Sequence, residues 1–142
     1  MPLLSRDTAA VSEQHVQTLR GVYAALIRGD TQGVIDRLHP DAELHQPRES
    51  PDAASYYGRD EVARGTLDFF SAWDEFSFEA RDVSSIGDGV LMDMLLTAKG
   101  KGSGVEVTLP LFHAWTFLDD QPHRLFVCMT REDALDAAGL RE

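Results

Sequence analysis

His113 is the residue best placed to do chemistry in this chain, because it is the single imidazole on the apolar face of a strand-like run. In residues 104–117, GVEVTLPLFHAWTF, the side chains of Val105, Val107, Leu109, Leu111, His113, Trp115 and Phe117 share one parity, and a strand sends alternate side chains to opposite faces. An imidazole titrates near neutral pH and can pass a proton, and a carboxylate on an adjacent strand can fix its tautomer. Asp93, the one charged residue in the apolar run 90–98, is the carboxylate expected to share acid–base work with His113. Two plainer roles stand beside these: a lone imidazole on an apolar face also serves by bonding a backbone carbonyl or a buried water, and Asp93 can pair across the sheet with an arginine such as Arg124.

Other chemistries find no support in the spacing. His39 and His45 flank a proline and a short strand, while His15, His113 and His123 are scattered, so no metal site is expected. Gly100, Gly102 and Gly104 lie between two strands and open no helix, which argues against a phosphate-cradling loop. Ser, His and Asp are all present, yet no GxSxG elbow is. No cofactor is expected.

These side chains need elements to position them. Residues 1–11 lack a strong period and read as a loose arm. From Ser12, a plausible N-cap, Val16, Leu19, Val22, Tyr23, Leu26 and Ile27 form a helical stripe that stops at Gly29. Asp30 can cap a second, short helix with Val34, Ile35 and Leu38 facing inward, ended by His39-Pro40. Residues 42–46 read as a short strand and 47–55, PRESPDAAS, as a surface loop. A third helix opens at Gly58, with Val62, Thr66, Phe69, Phe70 and Trp73 on one face.

After Trp73 the period changes to that of strands. Phe76, Phe78 and Ala80 alternate with polar residues, and Val83 and Ile86 break the parity, which predicts a bulge. Hairpin turns follow at 87–89, 99–103 and 119–122, with a bulge or bend at Pro110, whose missing N–H cannot join a ladder. A short helix closes the chain at 132–140. The plan is one α+β domain over residues 1–142, with three N-terminal helices packed on a strongly curved, mostly antiparallel sheet.

Composition bounds the partners. The chain has 142 residues, enough for one domain with a real core. A net charge of −11 repels phosphate backbones and anionic headgroups, so neither nucleic acid nor a membrane surface is an expected partner. The lone Cys128 excludes an intrachain disulfide, and no run approaches the ~20 apolar residues of a membrane span. The expected location is cytoplasmic.

Several segments carry a resemblance to a known family. These are Tyr23 to Asp30, LHPDAELHQP at 38–47, YYGRDEV at 56–62, GKGSGVEV at 100–107, FHAWTF at 112–117 and TREDALDAAGL at 130–140. Together they resemble the SnoaL-like group of the nuclear transport factor 2-like superfamily, which includes polyketide cyclases and ketosteroid-isomerase relatives. The resemblance implies a cone-shaped α+β barrel with an apolar cavity open at one end, and it implies homodimers. In such a cavity Tyr23 and Gln46 would join His113 and Asp93 as the polar groups, with Leu44, Phe70, Trp73, Leu95, Leu111 and Trp115 as the wall. The resemblance does not carry the isomerase chemistry across. The position of the isomerase's general base is Gln46, whose amide cannot abstract a carbon-bound proton. The protonated carboxyl falls at His113, and the phenol donor at about Val22, one position from Tyr23. The PTGR segment of true cyclases is missing.

Two functions remain open on this reading. One is an isomerase, cyclase or hydratase acting by proton transfer on an apolar ring compound, with His113 and Asp93 sharing the work. The other is a non-catalytic ligand-binding or dimerisation domain. A homodimer through the outer sheet face is expected, because Phe112, Ala114 and Thr116 lie on the parity opposite His113.

Overall fold

The computed structural model describes residues 2–47 and 55–141. The chain runs α1 (Pro2–Ile27), α2 (Thr31–Arg37), β1 (Glu43–His45), β2 (Ser55–Tyr57), α3 (Arg59–Ser71), β3 (Trp73–Ile86), β4 (Gly89–Gly100), β5 (Glu106–Leu118), β6 (Gln121–Cys128) and α4 (Arg131–Ala138). The six strands form one sheet in the order β2-β1-β6-β5-β4-β3. Every pairing is antiparallel except that of β1 with β6. The expected α+β plan therefore holds. The sheet does not close on itself, since β2 and β3 are its two edges. No helix among the described residues is long and apolar enough to cross a membrane.

Local rules account for most boundaries. Asp30 caps α2, its Oδ1 accepting the Gly33 N–H at 2.9 Å, and Thr130 caps α4 by accepting from Asp133 N–H at 3.1 Å. Gly139 ends α4 in the left-handed region at φ 68°, which a glycine adopts without a Cβ penalty. The last hairpin is tighter than its residues suggest. Only Asp119 and Asp120 separate β5 from β6, and both have positive φ, 53° and 61°, as the strand twist demands of a two-residue turn.

Four expectations are corrected. Helix α1 begins at Pro2, so residues 2–11 extend it rather than form a loose arm, and Ser12 lies inside the helix instead of capping it. Helix α3 stops at Ser71, which makes Trp73 the first residue of a strand and not the last of a helical stripe. Pro110 causes no bulge. It pairs in register with Leu95, in the part of β5 that β6 does not reach, and the irregularity falls at Thr116/Phe117 instead. The closing helix spans 131–138 rather than 132–140. Of the loop expected at 47–55, residues 48–54 lie outside the described residues, and Ser55 opens an unforeseen strand.

The sheet has an apolar core on each face. On one, Leu19, Val22, Tyr23 and Leu26 of α1, with Val34, Leu38, Val62 and Phe70, pack against Val90, Met92, Met94, Leu96 and Trp115. On the other, Leu91, Ala114 and Ala134 are buried together, with Phe112, Phe126 and Leu135 packed around them. Helix α4 thus covers the apolar residues that motivated a dimer through Phe112 and Ala114. Within the chain, Ala114 is already fully buried.

Candidate functional site

A cavity of about 310 Å³ lies between α1, α3 and the inner face of the sheet. Its apolar wall includes Leu26, Leu38, Val62, Phe78, Leu96, Leu125 and Val127. The register explains why these strands contribute. Residues paired directly across an antiparallel ladder point to the same face. Met92 pairs with His113, Met94 with Leu111 and His113 with Val127, so the apolar parities of β4, β5 and β6 coincide. Leu44 joins them because β1 lies beside β6 with Leu44 opposite Leu125.

Seven of the ten sequence-predicted site residues line this cavity: Tyr23, Leu44, Gln46, Phe70, Leu111, His113 and Trp115. Asp93, Leu95 and Trp73 do not. Asp93 pairs with Phe112 on the outer face, where Arg81 Nη2 donates to its Oδ1 at 2.7 Å. The carboxylate expected to assist His113 is on the far side of the sheet, and the arginine it meets is Arg81, not Arg124. Leu95, two residues on, shares that outer parity and pairs with Pro110. Trp73 packs against the core beside the cavity, and its buried indole N–H has no partner among the described residues.

What replaces the expected pair is a chain of three buried groups. Trp115 Nε1–H donates to the Tyr23 hydroxyl oxygen at 3.0 Å. Tyr23 Oη lies 2.6 Å from His113 Nδ1. Trp115 Nε1–H can only donate, so among these partners His113 Nδ1 is the acceptor for the phenol's own proton. His113 Nδ1 is therefore an acceptor, and the ring proton sits on Nε2. That tautomer presents an N–H donor where His113 lines the cavity. Phe78 meets both rings edge-on, at 5.7 Å from Tyr23 and 5.6 Å from His113, and limits their reorientation.

Burial keeps both groups neutral. Loss of hydration lowers the His113 pKa from 6.5 to about 4. The same loss raises the Tyr23 phenol far above its ordinary value, despite the bond from Trp115 that favours the phenolate. At neutral pH the cavity therefore offers a neutral imidazole donor and no charge, because none of its lining residues is Asp, Glu, Lys or Arg. Thr66 spends its hydroxyl on the Val62 carbonyl at 2.7 Å. Among the described residues, no group of three His, Cys, Asp or Glu could hold a metal ion. Two other depressions, of about 660 and 400 Å³, carry charged side chains in their walls. The cavity is smaller and far more apolar.

Phe69, Leu109 and Met129 line the cavity while remaining 48%, 39% and 40% exposed, so they form an apolar lip at its mouth. The sequence reading missed this lip and missed Phe78. Phe78 was legible as an inward residue of its strand, but nothing local placed it beside Tyr23 and His113.

Comparison with known proteins bears on this geometry. A model of the SnoaL-like domain family matches residues 19–122. Among solved structures, TerC, co-crystallised with polyporic acid, is similar at TM-score 0.71 and 17% identity, over 89% of this chain and 98% of TerC. A putative SnoaL-like polyketide cyclase from Jannaschia sp. CCS1 is similar at TM-score 0.71 and 18% identity, over 89% and 91% of the two chains. A ketosteroid isomerase-like protein from Catenulispora acidiphila, solved with trimethylamine, is similar at TM-score 0.70 and 12% identity, over 87% and 93%. Comparison with curated proteins returns no match.

Proposed function

As a member of the SnoaL-like domain family, matched over residues 19–122, the chain belongs to a small-molecule-binding fold, and we propose that its cavity binds a neutral ring compound through one acceptor oxygen. The observation that carries this reading is the Trp115–Tyr23–His113 chain, which commits His113 to donating from Nε2 inside an uncharged wall. A ketone or quinone-like oxygen accepts that bond, and the apolar remainder replaces water against the leucine, valine and phenylalanine surfaces. An anionic ligand would enter without a counter-charge. Catalysis by carbon-acid proton abstraction is not favoured, because Asp93 is outside and a cavity imidazole with a pKa near 4 is a weak base.

Titrating 1-tetralone and its hydrocarbon counterpart tetralin against tryptophan fluorescence tests this reading, since Trp115 lines the cavity. One neutral hydrogen bond is worth about 0.5–1.5 kcal/mol net, so the ketone is expected to bind roughly three- to tenfold more tightly. His113→Phe should erase the difference while leaving tetralin bound. Equal affinities for wild-type protein would sink the role given to His113.

The reading includes a homodimer, in the cytoplasm, through the part of the outer sheet face that α4 leaves open, around Leu95 and Pro110. Pro110 is exposed there. Sedimentation at micromolar concentration is expected to show a species twice the 15.7 kDa of the chain. A single species at the chain's own mass would refute it.

A further inference from the structure

A second set of chemically competent residues lies on the opposite side of β1 from the cavity. Leu44 points inward, so Glu43 and His45 point outward, and β2 places Ser55 directly opposite His45. Glu43 Oε1 lies 2.9 Å from His45 Nε2, and Ser55 Oγ lies 2.8 Å from His45 Nδ1. A carboxylate can only accept, so the ring proton is on Nε2 and the lone pair on Nδ1 faces the serine. Partial burial pushes the Glu43 carboxyl up, but the bonds from His45 and Arg124 outweigh it and hold the group below its usual range. The ring is fixed from both sides. It stacks on Phe126 at 4.9 Å and 10°, and Tyr57 meets it edge-on at 5.8 Å.

We propose that Ser55 is a nucleophile, with His45 as its general base and Glu43 as the positioning residue, and that it takes acyl groups from small esters. The arrangement orders a serine, an imidazole and a carboxylate as acyl transfer requires, with the serine on Nδ1 and the carboxylate on Nε2. Ser55 is exposed, so an ester can reach it. As Oγ attacks the ester carbonyl carbon, its proton passes to His45 Nδ1. The bond to the leaving oxygen then breaks, and that oxygen takes the proton away as an alcohol. Water repeats the sequence in reverse: it gives a proton to Nδ1, its oxygen joins the acyl carbon, and Oγ departs with the proton as the carboxylic acid leaves.

The surroundings select among esters. A groove of about 400 Å³ begins at His45 and is walled by Phe126, Cys128, Asp133 and Asp136. Those carboxylates, and a net charge of −11, favour neutral or cationic esters over anionic ones. The charged and titratable groups facing His45 are Glu43 on its own strand, Ser55 and Tyr57 on β2, and Asp133 and Asp136 across the groove, with Arg124 of β6 reaching Glu43.

A fluorophosphonate probe, with the labelled residue mapped by mass spectrometry, tests the proposal on the full chain. A general base contributes a factor of about a hundred or more, so Ser55 should react roughly a hundredfold faster than the other surface serines. Glu43→Gln should lower the labelling rate of Ser55 while leaving that of the other surface serines unchanged, and Glu43→Asp should restore part of it. His45→Phe keeps the stack on Phe126 and should reduce Ser55 to the level of its neighbours. Hydrolysis of p-nitrophenyl acetate should vanish in Ser55→Ala. A cross-strand clasp without chemistry predicts otherwise: Ser55 labelled no faster than other serines in wild-type protein overturns the proposal, as does fast labelling that persists in folded His45→Phe.

Discussion

Tyr23→Phe is expected to destabilise the protein by about 2–4 kcal/mol, although it removes one oxygen and leaves the ring in place. The hydroxyl is the shared partner of two buried groups, accepting from Trp115 Nε1–H at 3.0 Å and donating to His113 Nδ1 across 2.6 Å. Removing it orphans a donor and an acceptor together, and each buried unpaired group costs about 1–3 kcal/mol. Since a domain of this size is stable by only ~5–15 kcal/mol, the effect should be plain in a urea midpoint at unchanged slope. A loss below about 0.5 kcal/mol would mean that the chain of hydrogen bonds does not hold the core. The variant also frees His113 to protonate at either nitrogen, so the preference for the ketone probe should fall with stability.

The second large effect is on acid stability. His113 has a folded pKa of about 4 against an ordinary 6.5, so between those values the unfolded chain carries a proton there that the folded chain does not. Stability rises with pH wherever the unfolded state binds more protons. His113 therefore contributes its full stabilisation above pH 6.5 and loses it as pH falls toward 4, by about 3 kcal/mol in all. Below pH 4 both states are protonated and the contribution is flat. His123, its pKa lowered by burial and then by Arg124, acts in the same direction, as do Asp30 and Glu43 with their depressed carboxyls. The difference between wild type and His113→Gln, measured by urea denaturation from pH 7 to pH 4, isolates the one residue. Parallel curves for the two proteins would refute a buried neutral imidazole.

Much of this arrangement was legible in the sequence, for reasons that also explain the failures. The parity of β5 placed His113 with Leu111 and Trp115 because a half-buried strand repeats every two residues. Tyr23 was legible from the stripe on α1, since a helix this regular puts Leu19, Val22, Tyr23 and Leu26 on one face. Asp93 was not. Strand β4 is apolar on both parities, because one face meets the cavity and the other meets α4, so its sequence cannot say which face Asp93 joins. Only the pairing of Met92 with His113 decides that. Leu95 failed for the same reason. Trp73 failed at a boundary, because the helical stripe read from the sequence runs two residues past the end of α3 and into β3. The contacts of His113 with Tyr23, and of Ser55 with His45, are set by tertiary placement and register, and no local pattern announces either.

The parallel pairing of β1 with β6 has a consequence for how the cavity comes into being. Glu43 pairs with Arg124 and His45 with Phe126, so about eighty residues of chain separate the partners. A ribosome releases α1, α2, β1 and α3 long before it has made β6. Throughout that interval β1 has only β2 beside it, and the apolar stripes of α1 and α3 lack the wall that will cover them. The β3–β4, β4–β5 and β5–β6 hairpins can assemble from neighbouring chain as they emerge, but β1 waits for them all. The cavity is sealed on the β1 side only once β6 has been made, and until then the nascent chain carries its greasiest surfaces uncovered.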